Sequence, residues 1–250
     1  MKSKKLNIFV VLTFAIVFVL VVASGLTVGE ICISGYKMYQ QAVEKTSIED
    51  RIAEIKLDEN YVTLSEMPQS LLDAIVSVED HRFYRHSGFD IISIVRAAVS
   101  NVLNKGTVSG GSTITQQLAK NMYFTFEKTY TRKVAELLVA LQLEEKLTKD
   151  EILELYANII YFGNDNYGLG EATVNYFGKE PKDISVEEAV LLAGIPKAPS
   201  SFELSAPNQK AIKRANQVIQ SMVENNYLNT QEAVLVSNNI NSYYGSVQFA

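Results

Sequence analysis

The chain has 250 residues, 47% of them hydrophobic, and a formal net charge of −5, enough for one catalytic-sized domain and an added apolar segment. No basic run accompanies that charge, which excludes nucleic acid as a partner. The single cysteine, Cys32, excludes an internal disulfide and leaves the fold to its core.

Leu6 to Gly29 carries no charged residue and offers the ~20 apolar positions that cross a bilayer. Lys2, Lys4 and Lys5 precede it, which places the N-terminus in the cytoplasm and the rest outside. A cleaved signal peptide is the rival, with Ala23, Ser24 and Gly25 at the cut. The run exceeds the roughly 7–15 residues of a signal core, and that favours an uncleaved anchor. Ile33 to Asn60 then reads as a charged helical stalk, with Val43, Ile48, Ile52 and Ile55 loosely spaced. Ser34 and Lys37 fit Ser-x-x-Lys, an acylating motif, but no Ser-Asp-Asn or Lys-Thr-Gly follows, and the match is discarded.

Leu71 to Val78 is predicted helical, and Leu72, Ile75 and Val76 lie seven, four and three positions before Glu79. Glu79 thus ends an apolar stripe and is partly desolvated, the setting in which a carboxylate serves as general base near neutral pH. The plainer reading is a helix-terminal Glu paired with Arg82 or His81. Ile91 to Leu103 is apolar, interrupted mainly by Ser93, Arg96 and Ser100, and Met122 to Phe126 adds aromatics. Such segments either lie in a lipid headgroup region or form an ordinary buried helix.

Gly110 to Asn121 reads Gly-Gly-Ser-Thr-Ile-Thr-Gln-Gln-Leu-Ala-Lys-Asn. It is either solvated surface or a loop running onto a helix start, where backbone N–H groups and Lys120 hold an anion. Arg132 to Lys146 is predicted as one helix, with Glu136 on the face of Val139, Ala140 and Leu143. Here the plainer reading is a Glu136–Arg132 pair one turn apart. Thr148 to Glu151 and Ser185 to Glu188 are capping boxes that open helices. Gly163 to Gly170 reads as a loop; Glu171 to Phe177, Ser185 to Ala193, Ala211 to Asn225 and Thr230 to Ser237 read as helices. Val236 to Ala250 turns Asn/Ser-rich and is predicted as a loose tail. No run alternates as a strand does, so the fold class is all-α.

Five motifs stand in order over roughly Ser65 to Met222: Glu79-Asp80-x-x-Phe83-x-x-His86-x-Gly88-x-Asp90; Gly110 to Asn121; Arg132-Lys133-x-x-Glu136; Lys149-x-x-Ile152-Leu153-x-x-Tyr156-x-Asn158-x-x-Tyr161-Phe162-Gly163; and Arg214-x-x-x-Val218-Ile219-x-x-Met222. Together they make the chain resemble the peptidoglycan glycosyltransferases (glycosyltransferase family 51), which include monofunctional enzymes and the transglycosylase domain of class A penicillin-binding proteins. Departures are mild: Ala157 and Ile219 stand where the family usually has Leu, and Lys128 where it often has Arg, which exchanges a bidentate phosphate contact for a point charge.

The resemblance implies a lysozyme-like bilobal helical domain that polymerises lipid II into β-1,4-linked glycan strands, inverting configuration and releasing polyprenyl diphosphate. It divides the chain into a cytoplasmic tail (1–5), anchor (6–29), stalk (30–60), glycosyltransferase domain (61–235) and tail (236–250). Because the chain ends where a transpeptidase domain would begin, a monofunctional enzyme is expected. Glu79 would be the base, and Glu136 would organise the cations or hold a divalent metal, Mg or Mn. Lys120, Lys128 and Arg132 would meet the diphosphate; Ser112, Thr115, Gln116 and Gln117 would line the cleft; Asn121, Lys133, Arg96 and Arg214 would add substrate contacts. Implied partners are lipid II, the growing strand, the cytoplasmic membrane and other cell-wall synthesis proteins, with the domain on the outer face of a bacterial membrane. Two rivals remain open: a lytic enzyme of lysozyme type, which also uses two acidic residues, and an inactive scaffold.

Overall fold

In the computed structural model, which describes residues 25–103, 111–124, 129–206 and 208–245, the described residues contain no β-strand, and Tyr161 and Tyr167 form an isolated bridge. Residues 25–45 form α1, followed by α2 (Ile48–Lys56), α3 (Gln69–Glu79), α4 (Ile91–Leu103), α5 (Ile114–Tyr123) and α6 (Tyr130–Lys146). The rest comprises α7 (Lys149–Ile159), α8 (Leu169–Phe177), α9 (Val186–Gly194), α10 (Pro199–Phe202), α11 (Gln209–Glu224) and α12 (Thr230–Gly245). The all-α expectation holds.

The helices fall into two packed groups. In one, α3 packs on α9 and α11, and α12 lies on α11; in the other, α5 packs on α6 and α7, with α2 and α8 against α7. Apolar residues at helical spacing make each contact: Leu71, Leu72, Ile75 and Val76 on α3, Ile114 and Leu118 on α5, Val139, Ala140 and Leu143 on α6, all buried. Both predicted capping boxes form. Thr148 and Ser185 accept from the backbone N–H of Glu151 and Glu188, and those carboxylates accept from the two cap N–H groups in return.

Two segments differ from expectation. The predicted stalk is docked: Ile48 is buried, Ile52 and Ile55 pack against the core, and Arg51 Nε donates to the Met122 carbonyl at 3.0 Å, satisfying an oxygen in the last turn of α5. The spacing 48, 52, 55 is one helical face, and packing that face outweighs the segment's charge. The predicted tail is helical to Gly245, because Val236 and Ile240, one turn apart, are buried against the core and Ser237 Oγ donates to Asn216 at 2.7 Å.

At Gly35, α1 crosses α6. A Cβ there would lie 2.5 Å from Val134 Cβ and 2.8 Å from the Thr131 carbonyl, so the crossing requires glycine. Among the described residues no helix is long and apolar enough to cross a membrane. Residues 1–24, which carry most of the predicted anchor, lie outside the described residues, as do Gly110, Phe126, Lys128 and the last five residues.

Candidate active site

The end of α3 and the start of α5 are clamped together by the loop between Asp80 and Asp90. Asp80 Oδ2 accepts from the Ile114 N–H at 3.1 Å and from His86 Nε2 at 2.9 Å, and Thr113 Oγ1 donates to the Gly88 carbonyl at 2.7 Å. Gly88 makes that turn at φ +81°, a conformation that favours glycine. Thr113 also caps α5 in a box with Gln116, so the segment from Gly111 to Thr113 does run onto a helix start.

This clamp sets Glu79, last residue of α3, across from Gln117. Gln117 Nε2 donates to Glu79 Oε2 at 2.8 Å, and Arg214 of α11 stands 3.6 Å from Oε1. The Glu79 side chain is 11% exposed, as the apolar stripe implied, and neither Arg82 nor His81 pairs with it: Arg82 binds Asp90 and His81 meets Arg96. Behind Gln117, the buried Tyr156 hydroxyl donates to Gln117 Oε1 at 3.4 Å. Burial, with the nearby Glu79 and Asp80 charges, raises the Tyr156 pKa well above its ordinary value and keeps it a donor.

Glu136, buried on α6, meets cations on both oxygens: Arg132 Nε at 2.7 Å and Lys133 Nζ at 2.8 Å. The expected Glu136–Arg132 pair therefore exists. Lys133 Nζ also donates to Ser112 Oγ at 2.8 Å and so ties α6 to the glycine loop. Lys120, one residue type of the same cluster, has no hydrogen-bond or ion-pair partner among the described residues; burial and the Arg132 and Lys133 charges lower its pKa against the pull of Glu136 and Glu79.

These groups line one cleft of about 730 Å³. Lys120, Arg132, Lys133, Lys197 and Arg214 face it together with only two carboxylates, Glu79 and Glu136. A cleft richer in cations than in acids, in a chain of net charge −5, is built for an anionic ligand. As a metal site it fits poorly. Both Glu136 oxygens are occupied by cations, and the described residues hold no group of three or more metal-ligating side chains.

Of the residues predicted to touch substrate, Ser112, Gln116, Gln117, Lys120, Arg132, Lys133 and Arg214 line the cleft. Thr115 does not: it is fully buried and its hydroxyl donates to Glu144 at 2.5 Å, which Lys149 also binds. A residue on the core side of α5 cannot face the ligand, and the polar spelling of the segment hid that side. Arg96 is exposed on α4, bonded to His81 and Ser93, and Asn121 lies outside the lining. Lys128 lies outside the described residues. The sequence reading missed Pro196, Lys197, Phe202 and Gln217 in the cleft wall. For Gln217 a signal existed: it follows Arg214 by one turn of α11 and accepts from it at 3.1 Å.

In this cleft one carboxylate is held by an amide with Arg214 at 3.6 Å, and a second is enclosed by two closer cations. The chain belongs to the transglycosylase family, whose pattern matches residues 48–223. It is 37% identical over 238 residues to penicillin-binding protein 1F of Bacillus subtilis, covering 93% of this chain and 33% of that protein. Penicillin-binding protein 1A of Vibrio cholerae is 46% identical over 169 residues, covering 68% and 20%. A Cupriavidus necator protein that carries a transglycosylase name is 43% identical over 175 residues, covering 70% and 75%. The chain thus spans a third or less of the two penicillin-binding relatives.

Proposed function

We propose that this protein is a peptidoglycan glycosyltransferase that joins lipid II units into β-1,4-linked glycan strands with inversion at the anomeric carbon. The observation that carries this is the pairing of Glu79, held by the Gln117 amide at 2.8 Å with Arg214 at the longer distance of 3.6 Å, with a cleft wall of five cations. Glu79 takes the proton from the 4-hydroxyl of the acceptor N-acetylglucosamine. That oxygen bonds to the anomeric carbon of the donor N-acetylmuramic acid as its bond to the diphosphate oxygen breaks. The leaving polyprenyl diphosphate gains negative charge, and Lys120, Arg132 and Lys133 stabilise it where it forms. Tyr156 and Gln117 aim the base. Glu136 holds Arg132 and Lys133 at the leaving group rather than touching sugar.

Hydrolysis of the lysozyme type is the weaker reading. It needs a second carboxyl facing the sugar, whereas Glu136 is enclosed by Arg132 and Lys133. The substrate's lipid calls for a membrane, and we infer that residues 6–29 anchor the chain there with its catalytic domain on the outer face. The side of α4 carrying Ile91, Ile92, Val95 and Val99, each more than half exposed, supports contact with the bilayer surface. Incubating the purified chain with lipid II in detergent tests the proposal. Long glycan strands are the expected product. Shortened glycans from added polymer would replace it with the lytic reading, and no reaction with either substrate would leave a binding protein.

A further inference from the structure

Arg96 stands outside the cleft, within the exposed apolar side of α4: one turn after Ile92, next to Val95 and one turn before Val99. Two neutral acceptors hold its guanidinium. Ser93 Oγ accepts from Nη2 at 3.0 Å, and His81 Nε2 stands 3.0 Å from Nη1. The carboxylates of the same corner are engaged elsewhere: Asp90 accepts from Arg82, Ser93 and the Ile92 N–H, and Asp80 from His86 and the Ile114 N–H. Among the described residues no carboxylate forms an ion pair with Arg96. An arginine only donates, so the His81 nitrogen facing it presents a lone pair, and this contact exists only while the imidazole is neutral. Partial burial, foremost, and the Arg96 and Arg82 charges lower the His81 pKa against the pull of Asp80 and Asp90.

We propose that Arg96 and His81 form a site for the headgroup of an anionic phospholipid on α4, opened when His81 takes up a proton. The assignment rests on the reading that α4 meets the bilayer. Ile91, Ile92, Val95 and Val99 select lipid over a dissolved anion, which has no use for four exposed apolar side chains around its cation. Net charge then selects among lipids: the phosphate of phosphatidylcholine brings its own ammonium, whereas phosphatidylglycerol brings an uncompensated anion. With His81 neutral, the imidazole occupies one edge of the guanidinium fork. Once protonated it has no lone pair to offer and repels Arg96, so the fork swings free and two cations flank the apolar side of α4. An anionic headgroup is held better by two cations than by one. By linkage it raises the His81 pKa and binds more tightly as pH falls.

The chain has no tryptophan, so Val99→Trp in the full chain supplies a reporter at this face alone. In phosphatidylcholine vesicles carrying increasing brominated phosphatidylglycerol, the indole should be quenched. The fraction of brominated lipid at half-maximal quenching should fall about 5-fold from about pH 7.5 to about pH 5. Brominated phosphatidylcholine should show no such pH dependence. On this background His81→Gln, whose amide oxygen still accepts from Arg96, should hold the neutral-pH value throughout. Arg96→Gln should lose the preference for phosphatidylglycerol at both pH values, with melting temperatures confirming that both variants fold. An acid response that survives in His81→Gln, or that brominated phosphatidylcholine reproduces, would overturn the proposal. So would a phosphatidylglycerol preference that survives Arg96→Gln, or an indole that no vesicle quenches. None of these readouts needs turnover: a chain that polymerised no lipid II would lose its functional reading, and the quenching titration would still decide the headgroup site.

Discussion

Glu79 and Glu136 begin from the same sequence pattern, each a carboxylate on the apolar face of a helix, and end in opposite surroundings. Glu79 terminates α3, is held by the neutral Gln117 amide at 2.8 Å and has Arg214 no nearer than 3.6 Å. Glu136 sits one turn into α6 with Arg132 and Lys133 at 2.7 and 2.8 Å. An amide donor orients a carboxylate while leaving it free to accept a proton; two close cations fix a carboxylate as counter-ion. The difference assigns roles that residue type cannot: one acid for the proton, the other for the geometry of the positive charge.

The largest effect should come from removing the base. Glu79→Gln keeps side-chain volume and should lower turnover by about 10²–10⁴-fold with an unchanged melting temperature. Near-normal strand synthesis by this variant would end the distinction between the two acids. Glu136→Gln should behave differently, because it strands two cations around a buried amide. Lys133 is 41% exposed and relaxes into water, so the expected loss is about 2–3 kcal/mol, or about 5–10 °C in melting temperature. Turnover per folded molecule should fall less than in Glu79→Gln. Were Glu136→Gln as stable as the parent and as inactive as Glu79→Gln, Glu136 would belong with the reacting atoms.

A smaller effect is expected behind the base. Tyr156→Phe removes the donor to Gln117 without opening a cavity. One hydrogen bond is worth about 1 kcal/mol, so kcat should fall about 5-fold while KM holds. A change in KM alone would show that Gln117 contacts substrate and does not aim Glu79.

How much of this was legible depends on sequence distance. The Glu79 stripe, the Arg132–Glu136 pair and both predicted capping boxes lie within two turns of one helix, where periodicity speaks directly. Gln117 to Glu79, Tyr156 to Gln117 and Thr115 to Glu144 are bonds between helices, 38, 39 and 29 positions apart, and no local pattern predicts them. That is why Thr115 and Gln117, alike as polar residues of one motif, were assigned the same task; the helix turns one toward the core and the other toward the cleft. The segment after Val236 misled for a different reason. Its Asn and Ser content suggested a tail, but Val236 and Ile240 at one-turn spacing suffice to dock a helix whose polar residues then find partners, as Asn239 does with Glu187 at 2.7 Å.

The finest test of the contrast lies in Lys120, the cation that neither acid binds. Its pKa is lowered, chiefly by burial, so in the free enzyme it loses its proton at lower pH than an ordinary lysine. Between that lowered value and the ordinary one, the unfolded chain binds more protons than the folded one, and stability rises with pH through this window. Activity must move the other way, because a neutral amine cannot stabilise a leaving diphosphate. The alkaline limb of kcat/KM, which reports the free enzyme, should therefore fall while the contribution of Lys120 to the melting temperature rises. Lys120→Arg keeps its charge throughout and should shift the limb to higher pH, even if its maximal rate is lower. An alkaline limb that stays in place in Lys120→Arg would show that another group sets it, and would remove Lys120 from the diphosphate side of the cleft.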